Sequence, residues 1–153
     1  MNNLANCKPI IYLEGVSDRI IEEEAGQIIL VNCNNITVHN QDLSNVSNAL
    51  MLLDTHNCLI TGNILSSNDV YGIFSSGSNG NNISKNILSN NAVGMGFGIS
   101  DNNYIFSNII KSNPWFGIIL VSSINNVISK NIIEKNGGRK RIEEGLGILL
   151  RNS

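Results

Sequence analysis

Charge is scarce in this chain. Asp, Glu, Lys and Arg make up 14% of its 153 residues, where about a quarter is usual. Basic excess is missing too: the net charge is -2 and the pI about 5.6. That argues against nucleic acid as a partner, because phosphate binders carry a basic patch or stripe. The one basic run, Arg139-Lys140-Arg141, is followed at once by Glu143-Glu144 and reads as a solvated loop. Aromatics are 5% of the chain, with one tryptophan. The three cysteines, Cys7, Cys33 and Cys58, are an odd and sparse set, which excludes a disulfide framework. No apolar run reaches the ~18 residues of a bilayer span, so no transmembrane segment is expected. Met1-Asn2-Asn3 opens no signal peptide, having neither a basic start nor an apolar stretch behind it.

What fills the chain is a repeated phrase rich in asparagine. Its copies open at Gly26, Ala49, Gly72, Gly94, Gly117 and Gly147, with gaps of 23, 23, 22, 23 and 30. Fourteen residues after each of the first five openers stand Asn40, Asn63, Asn86, Asn108 and Asn131; five further on stand Asn45, Asn68, Asn91, Asn113 and Asn136. A fixed period in this range marks a solenoid, in which each copy buries its apolar face only against its neighbours.

The copies align into three short apolar strands per turn. The first holds pairs such as Leu50 and Leu52 or Ile118 and Leu120. The second is marked by Val38, Ile60, Ile83, Ile105 and Ile128, and the third by Leu43, Leu65, Leu88, Ile110 and Ile133. β-branched and asparagine-rich segments are poor helix formers. The apolar stretches last three to five residues, too short for helical repeats. The fold expected is all-β: a right-handed single-stranded parallel β-helix of about six coils of 22–23 residues, right-handed crossover being the strong default. Residues 1–25 read as an N-terminal capping coil with a hairpin-like excursion. Residues 26–153 read as the repeats, with an insertion at 137–145 and an incomplete last coil.

A turn at the same place in every coil leaves backbone groups unpaired by strands. Inward asparagines can bond those groups and one another at the strand spacing of about 4.8 Å. Asn63, Asn86, Asn108 and Asn131 are the expected ladder, with Gln41 rather than Asn40 in its first slot. Asn68, Asn91, Asn113 and Asn136 form a second candidate row, placed nearer the outside.

The phrase Tyr71-Gly72-Ile73 … Asn81-Asn82-Ile83-Ser84-Lys85-Asn86-Ile87-Leu88-Ser89-Asn90-Asn91 resembles the repeat of the NosD-like right-handed parallel β-helix family. Lys8 to Leu13, followed by Ala25 to Cys33 and Asn35 to Val38, is similar to an opening segment of archaeal members. The resemblance implies a periplasmic or cell-surface setting, copper as an alternative cofactor to none, and carbohydrate as a ligand class.

Chemistry is sparse along the repeat. Asp42, Asp54, Asp69 and Asp101 share no column in adjacent coils, so no catalytic residue is assigned and a polysaccharide lyase or hydrolase is the alternative reading. By period Cys33 lies beneath His56, and Cys58 follows His56 by two. Thiolate and imidazole in reach of each other would suit copper or zinc. Against that, the two cysteines fall in different columns, and buried cysteine is commonly a small hydrophobe. For a polysaccharide ligand the stacking candidates are Trp115, Phe116 and Tyr71. The first strand is apolar on both faces: Met51, Leu53, Phe74, Ile119 and Val121 lie opposite the core residues. A second outward stripe is Ile64, Ile87, Ile109 and Ile132. Rows of this size point to a homo-oligomer. The reading is a non-catalytic structural or recognition module, with a copper-handling NosD-like protein as a further alternative.

Overall fold

The computed structural model describes residues 3–137 and 147–153. The expected insertion from Gly138 on, with its basic and acidic runs, lies outside the described residues. The N-terminal turn comprises β1 (Leu4–Ala5), β2 (Lys8–Glu14) and β3 (Ser17–Ile21). The first two repeat coils contain β4 (Gln27–Val31) with β5 (Asn34–His39), and β6 (Asn48–Leu53) with β7 (Leu59–Thr61). The third has β8 (Tyr71–Ser76), β9 (Asn82–Ser84) and β10 (Ile87–Ser89); the fourth has β11 (Val93–Gly98), β12 (Tyr104–Phe106) and β13 (Ile109–Lys111). The fifth has β14 (Phe116–Val121), β15 (Val127–Ser129) and β16 (Ile132–Glu134), and β17 (Ile148–Arg151) follows.

These strands stack coil on coil into three sheets, of eight, six and three strands. Every pairing is parallel except β1 with β2, which run antiparallel at the N-terminal edge. The chain is a parallel β-helix of about five repeat turns, one fewer than the openers count, because Gly147 leads only into β17. The third strand of the coil is regular only from β10 onward. Before it, single bridges join Asp42 to Ile64 and Ile64 to Ile87. Residues 8–21 do not fold over an outer face: β2 pairs with β4 and β3 with β5, extending the stack by one turn.

The core is the set of inward columns. Ile28, Leu50, Ile73, Met95 and Ile118 form one, Val38, Ile60, Ile83 and Ile105 another, and all are fully buried. Each such aliphatic side chain stabilises the fold by about 1.5–3 kcal/mol. The openers are small because the coils close tightly there: a Cβ on Gly94 would lie 2.5 Å from the Gly117 carbonyl oxygen.

Each coil turns at four corners, and each corner is a pair. Its first residue is left-handed, as at Asn57, Gly80 and Asn102, or at Lys85, Ser107 and Lys130. The next residue points inward and bonds the coil before it. Asn86 shows the pattern: its Oδ1 accepts from the Asn63 backbone N–H at 2.9 Å and the Asn63 Nδ2 at 3.0 Å, while its Nδ2 donates to the Ile60 carbonyl at 2.9 Å. Asn63, Asn86, Asn108 and Asn131 form a continuous column, and the Gln41 N–H donates into it at 2.9 Å. The row Asn68, Asn91, Asn113 and Asn136 is not nearer the outside. It is an equivalent ladder, with Asn91 and Asn113 fully buried. A third ladder joins Asn81, Asn103 and Asn126. At the remaining corner hydroxyls replace amides: Thr55, Ser78, Ser100 and Ser123 each accept from the N–H of the coil before.

Two consequences are measurable by urea denaturation. Asn86→Ala strands the Asn63 N–H and the Ile60 carbonyl in the core, at about 1–3 kcal/mol for each buried group left unpaired. Asn90 is itself a left-handed corner with φ of 58°, so the matched control is Asn90→Gly, expected within about 0.5 kcal/mol of wild type. Equal losses at both positions would refute the ladder assignment. Among the described residues Ile99 is the one β-branched corner residue, at φ 51° and 69% exposed. Left-handed backbone costs an ordinary L-residue about 1–2 kcal/mol. Ile99→Asn therefore raises stability by about 1 kcal/mol, seen as a higher urea midpoint.

Candidate functional site

The sulfur and imidazole groups are placed by the corner pattern. Cys33 occupies the hydroxyl column: its N–H donates to Thr55 Oγ1 at 3.2 Å, and its thiol donates to the Val31 carbonyl at 3.3 Å. Cys58 occupies the first slot of the third amide ladder, where its Sγ accepts from the Ile36 N–H at 3.3 Å and its N–H donates to Asn81 Oδ1. Both are 1% exposed. His56 bridges to Asn34, not Cys33. Its side chain points outward, and its Nδ1 accepts from the Asn79 N–H at 3.1 Å. The coil puts the two thiols and the imidazole on opposite sides of the wall. Among the described residues no three His, Cys, Asp or Glu groups lie close enough to hold a metal. Burial pushes the Cys58 thiol up to about 11, away from the thiolate a soft metal needs.

The aromatics also separate. Tyr71 and Phe116 share a column on the outer face of the eight-stranded sheet, with Val93 between them. The Tyr71 ring packs 5.1 Å from that of Phe74. Trp115 stands at the corner before β14, 40% exposed. It lines a groove of about 320 Å³ with Ser67, Asn68, Asp69, Asn90, Asn91, Ala92 and Pro114.

The groove arises from turn length. Between the ladder asparagine and the small opener, Asn68 to Gly72 holds Asp69-Val70-Tyr71, and Asn113 to Gly117 holds Pro114-Trp115-Phe116. The coil between them holds only Ala92-Val93. One residue fewer, with the smallest side chain of the column, leaves a notch. Asp69 forms one wall and Pro114-Trp115 the other, two coil spacings or about 10 Å away. Ser67 and Asn90, both exposed corner residues, line its rim. The 22-residue gap from Gly72 to Gly94 is the trace of this notch in the sequence. A second hollow, of about 450 Å³, lies beside β17 where Leu120, Ile128, Ile148 and Leu150 meet.

The architecture and the asparagine corners define a β-solenoid of stacked parallel coils. More narrowly, the chain belongs to the family described as periplasmic copper-binding protein (NosD), whose model matches residues 6–152. No curated protein matches. Among solved structures it is similar to the A-module of the mannuronan C-5 epimerase AlgE6 from Azotobacter vinelandii, at 11% identity and a TM-score of 0.50, over 94% of this chain and 47% of that one. The A-module of AlgE4 from the same organism matches at 10% identity and a TM-score of 0.41, over 93% and 52%. The chain thus spans about half the length of these structures, and the likeness at such identity concerns the fold. The family implies copper, but Cys33, His56 and Cys58 do not form a set that fits it: each is committed to a corner hydrogen bond, and they face different sides.

The Cys58 thiol has a consequence above neutral pH. Its native value near 11 exceeds the ordinary 9.0, so between the two the folded state keeps a proton that the unfolded chain has released. Its contribution is intact below about pH 9 and is lost as pH climbs toward 11. Urea midpoints measured from pH 8 to 11 should fall more steeply for wild type than for Cys58→Ser. Parallel curves would mean the thiol is not held neutral.

Proposed function

We propose that this chain is a carbohydrate-recognition module of the NosD family, binding one sugar unit of a polysaccharide in the notch between Asp69 and Trp115. The observation that carries this reading is the notch itself. An exposed indole, a carboxylate and hydroxyl and amide groups converge on a cleft floored by Ala92. A pyranose ring held by van der Waals contact of about 4 Å on each side needs walls about 8 Å apart, within the two-coil separation. Ser67, Asp69 and Asn90 supply the acceptors and donors that hydroxyl groups require.

The groove has a single carboxylate, Asp69. Glycosidic cleavage uses two, one as acid and one as base or nucleophile. That favours binding over hydrolysis. The family's periplasmic setting supports an extracytoplasmic location, where polysaccharide is the abundant ligand. A copper-handling role finds no support in the cysteines and His56, each already engaged in the wall.

Trp115 is the sole tryptophan, so its fluorescence reports the site directly. A glycan array followed by fluorescence titration with the retained oligosaccharides should shift the emission. Trp115→Ala should weaken array binding about tenfold through the lost stacking surface, with Asp69→Asn intermediate and the circular dichroism unchanged. Binding that survives Trp115→Ala at full strength, or an array with no retained glycan, overturns the proposal.

A further inference from the structure

Beside the column of Tyr71, Val93 and Phe116, the outer face of the eight-stranded sheet carries two further side-chain columns. One runs from Tyr12 in β2 to Leu149 in β17 and has Phe74 at its midpoint. The other runs through Glu14, Val31, Leu53, Ser76, Gly98, Val121 and Arg151. The five middle rows of both columns contain no charged residue. The only charges stand at the two ends of the second column, and they are opposite: Glu14 at one, Arg151 at the other. The apolar stripe of Ile64, Ile87, Ile109 and Ile132 is different. It is a single column, and its sheet also carries Lys111 and Glu134.

We infer that this face is the interface of a two-fold homodimer whose axis runs parallel to the strands through Phe74 and Ser76. That operation reverses each column onto itself. Glu14 then meets the partner's Arg151, and Val31 meets the partner's Val121. Phe74 meets the partner's Phe74. Leu53 meets the partner's Gly98, and there the shapes fit as well. Nothing lies within 4 Å of where a Cβ on Gly98 would stand, so the glycine is an open recess. The recess at Gly96 is already filled, since the Tyr71 ring lies 2.6 Å from its would-be Cβ. Met51 therefore meets an aromatic surface, a favourable contact for thioether sulfur.

The other two-fold arrangement, with the axis along the solenoid, keeps each row opposite itself. It brings both Glu14 side chains to one end and both Arg151 side chains to the other, a like-charge pairing that costs affinity. Seven rows at about 4.8 Å give a face about 29 Å long, and three side-chain widths make it about 20 Å across. The footprint of roughly 600 Å² per partner sits at the lower end of stable interfaces. Two sheets facing at about 10 Å with their strands aligned are an ordinary packing mode.

Sedimentation equilibrium of the intact chain across a concentration series tests this. The expected result is a monomer–dimer equilibrium. Gly98→Val fills the recess, where its Cβ has nothing within 4 Å in its own chain, and should weaken the dimer at least tenfold. Glu14→Arg and Arg151→Glu should each weaken it, and the double swap should restore it, which a non-specific apolar contact would not show. Ile132→Lys, on the other stripe, should leave the equilibrium unchanged. Circular dichroism and urea midpoints establish that each variant is folded. A monomer at every concentration overturns the inference. So does a dimer insensitive to Gly98→Val, one not rescued by the double swap, or one that dissociates with Ile132→Lys.

Discussion

Everything in this molecule depends on the corner: one left-handed residue, then one side chain turned inward to serve the backbone of the coil before it. A turn inside a stack of coils exposes N–H and C=O groups to an apolar interior, where an unpaired group costs about 1–3 kcal/mol. The carboxamide answers both needs with one side chain, accepting on Oδ1 and donating from Nδ2. Repeated down a column, the amides also bond one another, as Asn86 does with Asn63 and Asn108. This accounts for the odd composition. The left-handed slots are taken mainly by Asn, Ser, Lys and Gly, the inward slots by Asn, Ser and Thr, and little room is left for charge.

Much of this was legible in the sequence. The period, the three apolar columns and the ladder through Asn63 to Asn131 follow from spacing alone, and so does the substitution of Gln41 at its head. The third ladder was not, because its members sit in doublets such as Asn102-Asn103 and Asn125-Asn126. Spacing cannot say which asparagine of a doublet turns inward; only the left-handed φ of the first does. The hydroxyl column is not distinctive in sequence, because serine is common everywhere and Cys33 heads it. The depth of the Asn68 row is not legible in the sequence, since distance along a coil does not report distance from its axis. The notch was visible as a one-residue deficit but meaningless until neighbouring turns were compared.

The family and the residues point in different directions over chemistry. Cys33, Cys58 and His56 look like a soft-metal set when read along the chain. Read down the stack, each is the local variant of a structural column: a thiol for a hydroxyl, a thiol for an amide, a ring nitrogen for an amide oxygen. The features free of such duty are on the outside, in the notch beside Trp115 and on the apolar sheet face. A scaffold whose interior is so fully engaged leaves specificity to small irregularities of its wall.

The ladders also have a direction. In every one, the acceptor oxygen belongs to the later coil and the N–H it satisfies to the earlier one. Each coil thus supplies the oxygens that satisfy the corner N–H groups of the coil before it, and its own corner N–H groups are satisfied by the coil after it. Any boundary between two coils therefore has unlike faces, with corner oxygens on the later coil and corner N–H groups on the earlier one.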